Sequence, residues 1–117
     1  PIQCEYLALE GLSMLLDTLE EIKENHNPAM DILGCLITMS DLRTNLSQQV
    51  VADVRNHLGD RVFNTMIPRT VRLSECPSHG QSIFQYDRWG AGARSYEALT
   101  NEVLERVGLP RRNERKA

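Results

Sequence analysis

Aromatic residues are scarce in this chain: one Trp, three Tyr and two Phe among 117 residues, or 5%. With 41% of its residues hydrophobic, the chain can build a core, but largely from aliphatic side chains. Cysteine is sparse too. Cys4, Cys35 and Cys76 are an odd number with no close-spaced pair, which argues against a disulfide framework or zinc site and for a reducing cytoplasmic setting. Cys35 lies in an apolar run and reads as a small buried hydrophobe. No stretch approaches the ~20 apolar residues of a membrane span. Nor does any Gly-x-x-x-x-Gly-Lys-Ser/Thr segment occur, so a phosphate-cradling loop of that kind is excluded. Repeats and low-complexity segments are also lacking.

What is present is an alternation of helix-like and strand-like patterns. The chain opens on Pro1, and Pro1-Ile2-Gln3-Cys4 reads as the trailing end of an apolar strand. This suggests the carboxyl-terminal part of a larger α/β domain. From Tyr6 to about Asn25, Leu9, Leu12, Leu16 and Leu19 recur at helical spacing, widened by Leu15 and Ile22. Asp17, Glu20, Glu21, Lys23 and Glu24 lie opposite, which predicts a surface helix that Pro28 terminates. Ile32 to Ile37 is a continuous apolar run, the pattern of a strand covered on both faces. A second helix is expected from Asn45 to Leu58, with Leu46, Val50, Val54 and Leu58 four apart, Thr44 or Asn45 as cap and Gly59 as stop.

Val62 to Ile67 predicts a further strand ended by Pro68, and Val71 to Glu75 one helical turn. Ser82 to Tyr86 reads as a short extended piece. A last helix should carry Tyr96, Leu99, Val103 and Val107 on one face. The order implies an α/β fold with right-handed crossovers onto a mostly parallel sheet. The final ten residues, 108–117, hold four cations against one carboxylate, +3, so the −3 of the whole chain leaves −6 on the remainder. That basic tail reads as a disordered terminus, with nucleic-acid contact as the alternative.

In open α/β sheets ligands bind beyond the carboxyl ends of the strands. Two polar segments fall at such ends, Thr38 to Thr44 with Arg43 and Pro68 to Gly80 with Arg69 and Arg72. A guanidinium suits phosphate, while the plainer reading is a solvated or locally paired loop arginine. Cys76 and His79 are too few for a metal site, and Ser74 and Ser78 lack a base, so no hydrolase triad is supported. Asp41 and Asp87 read as turn or capping residues.

Several blocks in order give the chain a specific resemblance. Pro1-Ile2-Gln3-Cys4-Glu5-Tyr6 with Ala8 to Leu12, Leu36-Ile37-Thr38-Met39 with Asp41, and Arg43-Thr44-Asn45-Leu46-Ser47 come first. Ile67-Pro68-Arg69, Val71 to Glu75, Pro77 to Gly80 and Tyr86-Asp87 follow. Together they resemble the ParA/Soj family of chromosome- and plasmid-partitioning ATPases, deviant Walker A proteins related to MinD. The resemblance implies a P-loop NTPase fold, with residues 1–107 as its carboxyl-terminal half and the phosphate loop in an amino-terminal half outside this chain. It implies a protein that binds ATP with Mg2+, dimerises, and binds DNA without sequence preference until a ParB-type partner stimulates hydrolysis. The setting would be cytoplasmic and nucleoid-associated, without a membrane. Arg43 and Arg72 match arginines that hold the DNA backbone in the family. Thr38, Met39, Pro68 and Arg69 fall where the adenine lies. The chain alone would not turn over ATP.

The chain departs from the family pattern at Cys76, at Gln81-Ser82, and at Arg88 and Ala91, where the family commonly has Ala, Lys-Pro, Pro and Arg. Two other readings remain: a non-catalytic scaffold using the acidic face around Glu20, Glu21 and Glu24, and a MinD-like positioning ATPase. The tail lacks the amphipathic membrane helix that would favour the latter.

Overall fold

A computed structural model describes residues 1–112. Three parallel strands form one sheet in the order β1 (Ile2–Gln3), β2 (Cys35–Ser40) and β3 (Val62–Pro68). Helix α1 (Tyr6–Asn25) joins β1 to β2, and α2 (Asn45–Leu58) joins β2 to β3. Two short helices, α3 (Val71–Glu75) and α4 (Ile83–Tyr86), lead to α5 (Ala91–Arg106).

Both crossover helices have the expected bounds because their ends are chemically marked. The Thr44 side chain accepts a hydrogen bond from the Ser47 amide, and Gly59 adopts φ 55° at the carboxyl end of α2. Ile2, Cys4, Leu12, Ile37, Val50, Val54 and Val62 form the main core between the sheet and these two helices. Burial of a side chain such as Val54, which is 0% exposed, contributes about 1.5–3 kcal/mol. The predicted stripes are only partly seated. Leu12 is the buried member on α1, whereas Leu15, Met14 and Leu7 face outward. On α2, Leu46 is exposed and Ser47 takes its inward place. Val107, expected on the buried face of the last helix, is exposed just beyond it.

Two expectations are corrected. The second strand runs Cys35–Ser40 rather than from Ile32 to Ile37. Ile32 donates its amide to the Asp31 carboxylate, and Gly34 packs under Phe63 and Arg106. The ladder is instead extended by Cys4 N–H to Thr38 O and by Arg69 N–H to Ser40 O, both 3.0 Å. The segment after Ser82 is helical, not extended. Ser82 and Gln85 form a reciprocal capping box, a local signal that outweighs the short apolar run.

The β2–β3 register contains two irregularities. Between the pairs Cys35↔Val62 and Ile37↔Met66, β3 advances four residues while β2 advances two. The Asn64 and Thr65 amides in that excess are both accepted by the Glu102 carboxylate of α5, which also accepts the Thr65 hydroxyl. Between Ile37↔Met66 and Ser40↔Pro68 the extra residue is on β2, and Met39 there adopts φ 52°. Val62 and Phe63 face opposite sides, as neighbours on a strand must. Val62 joins the α1–α2 core, and Phe63 lies under Arg106 of α5, 4.1 Å from the guanidinium carbon to the ring centroid. Helices therefore cover both faces.

Burial would raise the Glu102 pKa, but the Thr65 and Asn64 donors and nearby Arg106 outweigh it, holding the carboxyl below its ordinary value. A depressed carboxylate adds stability above its unfolded pKa and loses it as pH falls through the folded value. The urea midpoint should therefore drop on acidification below about pH 4.5. Glu102→Gln should flatten that slope; an unchanged slope would remove Glu102 from the acid response.

Beyond α5, Arg111 donates to Glu105 at 2.8 Å, and the Arg112 amide donates to the Asn101 side chain at 3.1 Å. The rest of the predicted disordered tail, 113–117, lies outside the described residues.

Candidate functional site

The carboxyl ends of β2 and β3 meet in one rim. Ser40 pairs with Pro68, its hydroxyl donates to Ile67 O at 3.4 Å, and its carbonyl accepts the Arg69 amide. Two loops leave this rim, each reorganised within a few residues by a threonine cap. Thr44 caps α2, and Thr70 accepts the Leu73 amide at 3.1 Å to cap α3. The topology thus places Thr38 and Met39 on β2 and Pro68 and Arg69 at the end of β3, at the same rim. Met39 is 44% exposed there, in a left-handed backbone that costs a non-glycine residue about 1–2 kcal/mol.

Three arginines surround the rim, each with a carboxylate nearby. Arg43 donates Nε to Asp41 Oδ1 and Nη2 to Asp41 Oδ2, both at 2.8 Å, while its side chain remains 90% exposed. That bidentate bond holds the Asp41 carboxyl down at about 2. Arg69 reaches Glu5 at 3.3 Å. Arg72 stands 4.0 Å from Glu75 and 5.8 Å from the centroid of the Tyr86 ring. The Tyr86 hydroxyl donates to Glu75, and its ring stacks on His79 with centroids 4.9 Å apart.

Asp41 is a turn residue, as expected: its carbonyl accepts the Thr44 amide and hydroxyl, both at 3.2 Å. Its bidentate hold on Arg43 is the local pairing that the plainer reading of a loop arginine expected. Sequence reasoning missed Glu75 and Tyr86 as partners of Arg72. Glu75 follows Arg72 at i+3, a helical spacing that could have found it, whereas Tyr86 lies eleven residues beyond Glu75 on another helix, where no periodicity links them. Cys76 and His79 diverge, Cys76 being buried with its thiol toward Leu73 O and His79 stacked on Tyr86. A groove of about 300 Å³ lies at the other end of the sheet, where Ile32 and Arg61 precede β2 and β3; Leu16, Leu19, Lys23 and Met30 also line it. Among the described residues, no helix is long and apolar enough to cross a membrane.

Residues 4–83 match the family model for the CobQ/CobB/MinD/ParA nucleotide binding domain. The chain is 54% identical to the chromosome-partitioning ATPase Soj of Treponema pallidum, over 92% of its own length and 43% of that protein. It is 47% identical to the chromosome partitioning protein ParA of Caulobacter vibrioides, over 91% of the chain and 40% of the relative. Against the sporulation initiation inhibitor protein Soj of Bacillus subtilis it is 50% identical, over 88% and 41%. The chain therefore spans about two fifths of the length of these relatives. With its parallel sheet flanked by helices and residues 4–83 matched to that family model, it belongs to the CobQ/CobB/MinD/ParA nucleotide-binding domain family.

Proposed function

We propose that this chain is the DNA-facing, carboxyl-terminal portion of a partitioning ATPase that binds ATP, dimerises, and in that state holds DNA without sequence preference. The observation that carries this reading is the shared rim of β2 and β3, from whose loops Arg43 and Arg72 extend with their side chains mostly in solvent. Cations on short, capped loops suit a polyanion read by charge rather than by base edges. The base of the nucleotide would rest at Thr38, Met39, Pro68 and Arg69, where an exposed thioether and a proline ring offer an apolar ledge.

The triphosphate and Mg2+ need donors of another kind. No phosphate loop occurs in the 117 residues, and among the described residues no group of three acidic, His or Cys side chains could hold a cation. Those contacts are assigned to residues beyond this chain, as is coupling to a ParB-type protein. The proposed setting is the nucleoid.

The test is DNA binding by the complete gene product, followed by anisotropy on a duplex of arbitrary sequence. ATP should raise affinity relative to ADP. The slope of log affinity against log salt should be about −4 or steeper, given two arginines on each of two protomers. DNA binding indifferent to nucleotide and salt would overturn the proposal.

A further inference from the structure

Helix α3, which carries Arg72, is mounted on a small satellite core of Cys76, Ile83 and Ala93, against which Leu73, Tyr86 and Tyr96 pack. Tyr86 is thus held in place, with its ring braced on His79 and its hydroxyl on Glu75 Oε2. The same Oε2 is the oxygen nearest Arg72, yet it stands 4.0 Å from Nη1, the outer limit of an ion pair. Arg43 offers the contrast, closed on Asp41 by two bonds of 2.8 Å. Glu75 follows Arg72 at i+3, a spacing that ordinarily lets such a pair close on a helix surface. The Glu75 carboxylate, unlike that of Asp41, also accepts a tyrosine hydroxyl.

We propose that Tyr86 is a positioning residue. By donating its hydroxyl to Glu75, it keeps that carboxylate off Arg72 and leaves the guanidinium fork open to a backbone phosphate. The inference rests on the DNA-binding role proposed above and adds two residues to it. The bond to Glu75, with burial, raises the Tyr86 pKa above its ordinary value against the opposing pull of the nearby Arg72 cation. The ring also places a π face near the Arg72 cation.

Anisotropy with the ATP-loaded complete gene product separates this role from a merely structural one. Tyr86→Phe keeps the ring, the stacking and the cation–π contact but removes the donor. It should weaken DNA binding about three- to tenfold and make the salt slope shallower by up to about two per dimer. Glu75→Gln should bind at least as tightly as wild type. Adding it to Tyr86→Phe should restore both affinity and slope, since no carboxylate is left to compete. The inference is overturned if Tyr86→Phe changes neither quantity, or if the double variant stays as weak as Tyr86→Phe alone. Arg72→Ala is the control: if it leaves affinity intact, the DNA-binding role itself fails. If it weakens binding while Tyr86→Phe does not, only the positioning role fails.

Discussion

Reversing the charge at Arg43 and Arg72 together should cut the DNA affinity of the complete gene product by more than about a hundredfold at moderate salt. Each substitution to Glu replaces an attraction to phosphate with a repulsion, and a dimer would carry four such changes. The folded state should tolerate them. The Arg43 and Arg72 side chains are 90% and 61% exposed, and neither belongs to a core cluster. Arg43→Glu places its new charge beside Asp41, while Arg72→Glu faces Glu75, so each adds local repulsion without emptying packed space. ATP binding and the urea midpoint should therefore remain close to wild type. Wild-type DNA affinity in the double variant would refute the assignment of both residues.

The largest stability effect is expected at a residue far from the rim. Arg106 Nη1 donates to Leu33 O and Arg61 O at 2.9 and 3.0 Å, and Nη2 to Asp60 O and Val62 O at 3.0 and 3.1 Å. Its guanidinium also covers the Phe63 ring, and a Cβ at Gly34 would lie 2.6 Å from Nη1. One side chain thus ties the end of α5 to the segments entering β2 and β3. Arg106→Ala should lower unfolding free energy by about 2–4 kcal/mol, a large share of a typical domain's stability. Arg106→Lys should recover little, because a single ammonium cannot span four carbonyls in a planar fork. A loss below about 1 kcal/mol in urea titrations would show that water replaces these bonds at little cost.

The contrast between these residues shows where the sequence is readable. Helices α1 and α2 are legible to the residue because their ends are written locally, in Pro28, Thr44 and Gly59. The start of β2 is not, since Gly34 is set by Phe63 and Arg106, both distant in sequence. The helix after Ser82 was missed although its capping box is local, because the apolar residues of so short a piece suggest a strand equally well. Arg43 and Arg72 are assigned through family resemblance rather than any pattern of their own. Their different engagement, one closed on a carboxylate and one held apart from it, depends on Tyr86, which α4 brings against α3.

The left-handed residue at Met39 has one more consequence. On an undisturbed strand, the side chain two places after buried Ile37 would also point inward, and Met39 would be hidden. The extra residue inverts that parity: Ser40, three places on, lies beneath the rim, and the methionine is turned out. A sulfur-bearing side chain that an ordinary ladder would consign to the interior is turned out at the rim, while the Ser40 hydroxyl bonds to Ile67 O beneath it. A regular ladder through the same residues would exchange their places.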